Sequence, residues 1–298
     1  MDNITHALIG LTANSLLKEK NKTTFWISLI SSELPDIDIL YRLKSSAEYM
    51  LNHRGFSHSL PGLFLMAGIV TLVAGLLSPG ADRKKIFLLS SFCLILHVAF
   101  DVFTSWGTQL FFPIWDRWFY LDFVPIIDLV IIIIAAAALI AGRLAPGRRR
   151  IISLAGTLLI ILFLLGRFAG HEYLVNKYQA LYLHARVSVM AGFSPLDWKV
   201  IVEKEDQLLS GKVSLIEKES PELGVTPVAR QDAGRYMSNP QFYRVVNFFR
   251  YPVYTVKEFN DGKILVINDL YYGFRQVMFP LDENYNIAGR PLRSKTLY

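Results

Sequence analysis

The feature that most constrains this chain is a series of long apolar runs without a charged residue. Two of them, residues 60–78 and 151–166, contain no charged residue and directly indicate spanning helices. Two others, residues 86–100 and 129–142, are each bordered by an aspartate. A helix that crosses a membrane needs about 17–25 residues, so each run, with its flanking residues, predicts a transmembrane helix.

Two shorter apolar stretches, residues 4–17 and 23–34, precede these runs. Each is too short to cross a membrane easily, and we predict short or partly inserted helices. The whole chain of 298 residues is 52% hydrophobic and only 19% charged, whereas a soluble domain carries about 25% charged residues. This composition excludes a disordered chain and argues against an ordinary cytosolic enzyme.

The positions of the basic residues predict how the helices are oriented. With six passes, the turns at residues 18–22, 82–85 and 143–150 lie on one side and hold 10 of the 17 Lys and Arg of residues 1–194. Short loops rich in Lys and Arg mark the cytoplasmic side. The opposite end of the helices and the C-terminal region should therefore face outward from the cell's inner or plasma membrane. The net charge of +6 is then explained by topology, and nucleic-acid binding is not expected.

The remainder of the chain has a different composition. Residues 171–194 resemble an amphipathic connecting helix, and residues 195–298 predict a small, soluble, extracytoplasmic β-rich domain. Its predicted strands are residues 198–205, 211–217, 253–259, 264–268 and 271–279. Asn260-Asp261-Gly262 is typical of a hairpin turn. The predicted fold is thus a mainly α membrane domain over residues 1–170, with four clear and two short helices, followed by these two segments.

Two ionisable residues interrupt a predicted membrane helix. His97 and Asp101 are four residues apart and therefore lie on one helix face. An ionisable group at the bilayer centre costs about 2.5–3.5 kcal/mol, which makes the pair a candidate functional site. A buried His–Asp hydrogen bond, or two side chains that reach the interface, would explain the pair equally well.

Further polar residues are expected at the same outward level. Pro35 should end the second helix just before two aspartates, and Ser59 and Pro61 suit the start of the 60–78 helix. The residues that converge on this level are His6, Asp36, Asp38, His53, His58, His97 and Asp101. Each has an ordinary explanation taken singly, such as a turn, a helix cap or a surface histidine.

Imidazoles and carboxylates together suit one or two divalent ions, with zinc preferred and manganese as the alternative. The single cysteine, Cys93, excludes a cysteine-cluster site and an intrachain disulfide. Such an ion can activate water and neutralise charge on a phosphoryl or carbonyl oxygen. Arg54 suits an anion clamp beside it, although an arginine that extends to the interface is the alternative.

Other residues carry weaker predictions. Glu33 precedes the aspartates by one turn and is expected to support them, and residues 104–109 either cap the 86–100 helix or line a substrate path. His171 and Glu172 are expected to form a surface pair, and His184 is not expected to bind metal. An interfacial anchoring role is predicted for four aromatic residues, Trp106, Trp115, Trp118 and Tyr120.

The ordered motifs are Asp2-Asn3-Ile4-Thr5-His6, Pro35-Asp36-Ile37-Asp38, His53-Arg54-Gly55-Phe56-Ser57-His58 and His97-x-x-x-Asp101-x-x-Thr104-Ser105. This series resembles the bacterial and archaeal membrane-bound metal-dependent hydrolase family, whose members are also described as LexA-binding, inner-membrane-associated hydrolases. The resemblance covers about residues 1–170. It implies a metal-dependent hydrolase of the inner membrane.

The series is also similar to a reduced ligand set of zinc-dependent phospholipase C. This similarity implies metal ligands at His6, Asp38, His53, His97 and Asp101. Asp36 and His58 match the hydrolase motifs and are implied to be ligands or acid–base groups. The later phospholipase ligands have counterparts here only if His171 and Glu172 replace them.

Three functions remain open from the sequence. The first is a hydrolase in which metal-activated water attacks a phosphoester in a membrane lipid or lipid-linked substrate, with an amide or carboxyl ester as the nearest chemical alternative. The second is a metal-binding sensor or regulator whose β domain recognises a partner. The third is an ion transporter that uses His97 and Asp101 as a relay, which would require these groups deep within the bundle.

Overall fold

The computed structural model describes residues 1–298 except 45, 205–206, 218–220, 228–233, 260–261, 272–275, 290 and 292–298. The N-terminal part is helical, and the C-terminal part contains two antiparallel sheets. This agrees with the predicted helical membrane region followed by a β-rich region.

All six predicted apolar segments form helices. The α-helices of this part are α1 (Asn3–Leu16), α2 (Lys22–Glu33), α3 (Ser46–Asn52), α4 (Leu60–Leu77), α5 (Arg83–Val102), α6 (Leu129–Leu144) and α7 (Arg149–Leu181). Polar side chains accept hydrogen bonds from the first backbone N–H groups of most of them, which fixes where each helix begins. These capping residues are Asp2, Asn21, Ser59, Asp82 and Asp128.

Among the described residues, three segments are long and apolar enough to cross a membrane: Leu60–Leu77, Arg83–Val102 and Pro146–Leu181. The fourth predicted span, α6, has 16 residues, which corresponds to a length of about 24 Å against a hydrocarbon core of about 30 Å. The first two helices are shorter still, with 14 and 12 residues, in keeping with the prediction of short or partly inserted helices.

The helices pack around α1, which contacts α2, α5, α6 and α7, while α5 lies between α2 and α4. At one end of this bundle, Lys85 Nζ lies 3.7 Å from Glu19 Oε2, and the Arg149 guanidinium donates to Ser15 Oγ at 3.2 Å. These contacts bring the three basic turns together, as predicted. The predicted polar residues lie at the opposite end.

The prediction of a connecting helix over residues 171–194 is only partly correct. Helix α7 continues without a break to Leu181, because Leu174 and Tyr178 on its last turns are buried in the core shared with the first sheet. Its 33 residues reach about 50 Å, well beyond the membrane. Residues 186–191 then form a strand rather than a helix.

The first sheet has the order β1-β2-β3-β4 and the second β5-β6-β7, both antiparallel. The strands are β1 (Arg186–Ala191), β2 (Asp197–Lys204), β3 (Gln207–Ser214), β4 (Gly224–Pro227), β5 (Pro252–Phe259), β6 (Gly262–Asp269) and β7 (Gln276–Leu281). A helix, α8 (Pro240–Phe248), packs on the second sheet. The paired ends of β5 and β6 fit the predicted hairpin, whose turn residues 260–261 lie outside the described residues.

Several elements differ from the prediction. Strand β3 begins at Gln207, four residues before the predicted start at Gly211. Gly211 lies inside the strand, where a Cβ atom would come within 2.7 Å of Leu223 Cδ2. The glycine therefore permits a close approach of two chain segments rather than starting the strand. Strands β1 and β4 and helix α8 were not predicted.

The C-terminal half contacts the site end of the helical bundle. The Arg250 guanidinium donates two hydrogen bonds to the Asp122 carboxylate, at 2.6 and 3.0 Å. Tyr271 Oη donates to Ser105 Oγ at 3.0 Å. Arg167 of α7 donates to the carbonyl of Pro195 at 2.7 Å. These polar contacts fix the two halves against each other near the predicted site.

Candidate metal centre

The predicted metal-site residues come from four separate elements. His6 lies on α1, Asp36 and Asp38 lie on the 3-10 helix Leu34–Leu43, and His97 and Asp101 lie on the last turns of α5. His53 and His58 flank a tight turn before α4. Three groups place their ligand atoms within 4.8 Å of one another: His6, His97 and Asp101; Asp36, His58 and His97; and Asp36, Asp38 and His53.

His58 lies at the centre of this cluster and is fully buried. Its Nε2 atom is 3.2 Å from His97 Nε2, 3.2 Å from Asp101 Oδ2 and 3.4 Å from Asp36 Oδ1. Four atoms that can each offer a lone pair therefore converge on one small volume. The sequence identified this residue but not its central position.

Hydrogen bonds fix how the imidazoles face this volume. His97 Nδ1 donates to the backbone carbonyl of Ser32 at 2.6 Å, because a carbonyl can only accept. In the neutral ring, the lone pair is then on Nε2, which faces His58 and Asp101. A hydrogen bond from the other ring nitrogen is the usual way in which proteins orient a metal-binding histidine.

His6 completes the buried side of the cluster. Its ring stacks on that of His97, with centroids 3.6 Å apart, and its Nε2 lies 3.4 Å from Asp101 Oδ1. The same carboxylate also contacts the Met1 ammonium group. Asp101 is fully buried, so these positive and polar neighbours stabilise its charge.

Asp38 is already occupied by hydrogen bonds. It accepts from His53 Nδ1 at 2.8 Å, from the Arg54 backbone N–H at 2.9 Å and from Ser57 Oγ at 3.0 Å. His58 Nδ1 lies 3.3 Å from the same carboxylate. Asp38 therefore orients His53 and lies against His58, and it also belongs to one of the three groups that could hold an ion.

Arg54 is buried as well, with only 1% of its surface exposed. Its guanidinium contacts Asp101 Oδ1 at 2.7 Å and donates to Thr104 Oγ1 at 3.0 Å. Its backbone has φ of +65°, a conformation unusual for a residue other than glycine. The side chain thus holds Asp101 in place, and this arrangement favours a positioning role over the predicted anion clamp.

The electrostatics of the loop residues favour a cation in the cluster. Burial alone would lower the pKa of His58, but the nearby carboxylates of Asp101, Asp36 and Asp38 raise it to about 10. Burial would raise the pKa of Asp38, yet its hydrogen bonds with His53 and His58 hold that pKa below its usual value. Burial lowers the pKa of His53 despite its bond to Asp38, so this imidazole is neutral at pH 7.

The residues present fit a divalent ion. Within the described part of the chain, two buried atoms of the cluster, His6 Nε2 and Asp101 Oδ2, make no hydrogen bond. Buried polar atoms are normally satisfied, so unsatisfied ones require an explanation such as a bound ion. Imidazole nitrogens and carboxylate oxygens are the ligands that zinc and manganese accept. The histidines and aspartates can therefore hold a metal ion.

Of the weaker candidates, Glu33 lies beside the cluster, whereas His171 and Glu172 do not. Asn3 donates to both Glu33 and Asp36, at 2.9 and 3.2 Å, so Glu33 does lie beside the cluster, as predicted. His171 bonds to Glu172 and to the carbonyl of Val189, at 3.0 and 3.1 Å, away from the metal groups. The pair therefore does not supply the missing phospholipase ligands.

The aromatic residues were expected to anchor the protein at the interface, and two of them, Trp106 and Tyr120, are half-buried. Trp106 packs edge-on against His53, with ring centroids 5.2 Å apart, and covers the site. The Arg250 guanidinium lies 3.7 Å from the centre of the Tyr120 ring. Trp106 and Tyr120 therefore also make contacts within the protein, and their interfacial anchoring role stays a prediction.

Two residues of the site were not singled out from the sequence. Asn3 and Ser57 hold Asp36 and Asp38, respectively. Both belong to the recognised motifs, and their short polar side chains next to candidate ligands were the available signal. The group of Ser32 that orients His97 is its backbone carbonyl, which no pattern of side chains in the sequence indicates.

Comparisons with known proteins place the N-terminal part in a family. The profile of the YdjM inner membrane protein family matches residues 1–173. An uncharacterized protein, YfhP, of Bacillus subtilis (strain 168) is 35% identical over 122 residues, which cover 40% of this chain and 37% of that relative. No solved structure matches the chain. Since the family profile covers more than half of the sequence, including all of the metal-site residues, the chain belongs to the YdjM inner membrane protein family.

Proposed function

We propose that this protein is a membrane-bound, metal-dependent hydrolase that cleaves a phosphoester at the outer surface of the membrane. The observation that supports it most is the convergence of His58, His97, Asp101 and Asp36, whose facing ligand atoms lie 3.2 to 3.8 Å apart. Such a concentration of buried imidazoles and carboxylates at a membrane helix end has a high cost unless it binds a cation.

Five side chains would hold one or two ions: His6, Asp36, His58, His97 and Asp101. When bound, a divalent ion lowers the pKa of a water molecule and neutralises charge that develops on a phosphoryl oxygen. Asp36 lies at the accessible edge of the same cluster, with 15% of its side chain exposed. It is therefore the ligand closest to an entering substrate.

His53 and Asp38 are suited to accept a proton. Asp38 accepts a hydrogen bond from His53 Nδ1 at 2.8 Å, so the lone pair of the neutral ring is on Nε2. This arrangement of a carboxylate, an imidazole and a free ring nitrogen is typical of a general base. Arg54 contributes by holding Asp101 at 2.7 Å.

The site's position supports a substrate in the membrane. Asp101 lies one residue before the end of α5, a candidate membrane span. The basic turns gather at the other end of the bundle, and the positive-inside rule assigns such turns to the cytoplasm. We therefore place the cluster and the C-terminal half on the outer side, where a lipid or lipid-linked phosphoester can reach them.

Metal content is the first test of this proposal. Wild-type protein in detergent should retain about one or two zinc or manganese ions, and the His58→Asn/Asp101→Asn variant should lose them. The matched control is His184→Asn/Asp116→Asn, which changes the same residue types at exposed positions. Asparagine keeps a hydrogen-bonding side chain at each position and accepts the positive φ of His184.

Activity is the second test. The metal-loaded wild type should hydrolyse bis(p-nitrophenyl) phosphate, and the His58→Asn/Asp101→Asn variant should not. A wild type that binds no added zinc or manganese would refute both the metal centre and the hydrolase. A wild type that binds metal but cleaves no phosphoester would refute the hydrolase and favour the metal-binding sensor.

A further inference from the structure

A groove of about 930 Å³ opens beside the metal centre. Its inner end is lined by Asp38 and Ser57, which belong to the site. Its outer part lies between the 3-10 helix Leu34–Leu43 and helix α8 of the C-terminal half. The groove is therefore a path to the site that both halves of the chain build.

One wall of the groove is apolar and continuous with the membrane surface. Ile37 and Leu40 line it and are 48% and 58% exposed. Met66 also lines it, from the candidate membrane span α4. Phe64 on the same helix is 61% exposed, as expected for a side chain that faces lipid. A hydrocarbon chain can therefore pass from the bilayer into the groove without leaving apolar surroundings.

The groove also carries two exposed basic side chains. Lys44 follows the 3-10 helix, and Arg244 lies on α8. The acidic lining residues are Asp38, which is bonded to the histidines, and Asp116 in the segment after α5. Arg244 lies 3.6 Å from Glu48, a contact between partly exposed groups that contributes little to stability. Its guanidinium can therefore rearrange to bind an anion.

Helix α8 is fixed to the site through aromatic rings. The Phe248 ring lies 5.3 Å from Trp118 and 6.1 Å from Trp106. Trp106 in turn packs against His53, 5.2 Å away. This line of rings determines the distance between the basic residue on α8 and the candidate proton acceptor.

We propose that this groove binds an anionic phospholipid, with its chains along Ile37, Leu40 and Met66 and its phosphate held by Lys44 and Arg244. This inference rests on the proposed function and names its substrate class. Helix α8 then gives the C-terminal half a specific role, because it supplies half of the headgroup contacts.

Binding measured without turnover tests the groove separately from the hydrolase. The full-length protein in detergent is titrated with dihexanoyl phosphatidylglycerol, and dihexanoyl phosphatidylcholine and glycerol 3-phosphate serve as comparison ligands. The variants are Lys44→Gln/Arg244→Gln for the headgroup and Leu40→Ser for the chains. Lys84→Gln/Arg148→Gln is the matched control at the other end of the bundle, and metal content is measured in every variant.

We expect Lys44→Gln/Arg244→Gln to weaken phosphatidylglycerol binding about tenfold, which corresponds to about 1.4 kcal/mol, with unchanged metal content. Leu40→Ser should weaken binding of both lipids, and the control should weaken neither. Unchanged affinity in Lys44→Gln/Arg244→Gln would overturn the inference, as would glycerol 3-phosphate binding as tightly as the lipid. If lipid binds as expected but no phosphoester is cleaved, the hydrolase proposal fails while the groove stands.

Discussion

Arg54→Met is the substitution that most directly tests how the cluster is held together. The guanidinium is buried, pairs with Asp101 at 2.7 Å and bonds to Thr104 at 3.0 Å. Methionine keeps much of the side chain's length but removes the charge. Removal of one partner of a buried ion pair costs about 3–5 kcal/mol, because the buried Asp101 carboxylate then keeps one positive neighbour, the Met1 ammonium group, instead of two. At about 2 °C per kcal/mol for a chain of this size, the unfolding temperature should fall by about 6–10 °C.

The chain offers its own probe for this measurement. Cys93 is the single cysteine and is completely buried on α5, so a thiol-reactive dye reports the opening of this helix on heating. A metal ion bound at Asp101 would replace part of the lost positive charge. Zinc at a hundredfold excess over its dissociation constant stabilises a protein by about 2.7 kcal/mol, and we expect the rise in unfolding temperature to be larger in Arg54→Met than in wild type.

Arg117→Met is the control, because Arg117 is exposed and its guanidinium rests over the Trp115 ring. Its effect should stay within about 0.5 kcal/mol. A fall in unfolding temperature for Arg54→Met that is no larger than for the control would refute the buried ion pair. An equal zinc-dependent rise in the unfolding temperatures of wild type and Arg54→Met would show that metal does not bind next to Asp101.

Two further predictions concern the supporting shell and the topology. Asp38→Asn should lower zinc affinity about 10- to 100-fold, because it weakens the contacts that orient two histidines. Equilibrium dialysis measures this affinity. Unchanged affinity would contradict the orienting role of Asp38. In intact cells, a membrane-impermeant maleimide should label Lys212→Cys of β3 but label Lys84→Cys only after permeabilisation. The reverse pattern would place the site on the cytoplasmic side. Buried Cys93 provides no competing signal.

The helices were predictable because each depends on local patterns. The apolar runs predict α4 to within one residue, Leu60–Leu77 against residues 60–78, and Ser59 caps this helix as expected. The end of α7 was not predictable in the same way. Nothing in residues 171–181 stops a helix, and their burial depends on a sheet that follows later in the chain.

The membership of the candidate metal cluster was predictable, but the position of each residue within it was not. Spacing on α5 places His97 and Asp101 on one face, and the motifs add His6, Asp36 and the loop histidines. Whether His53 or His58 faces the centre depends on the tight turn between them, in which Arg54 has φ of +65°. Asp38 then accepts a hydrogen bond from His53 and lies 3.3 Å from His58 Nδ1, a relation that sequence spacing does not contain.

The contribution of the C-terminal half follows from contacts across long stretches of chain. Asp122 and Arg250 form a bidentate pair although 128 residues separate them, and Phe248 packs against Trp106. A local signal for α8 exists, since Asn239 caps it and Pro240 begins it. This signal does not indicate which part of the chain the helix packs against. Helix α8 borders the groove beside the candidate site, so the C-terminal half would contribute directly to the lipid binding that we propose.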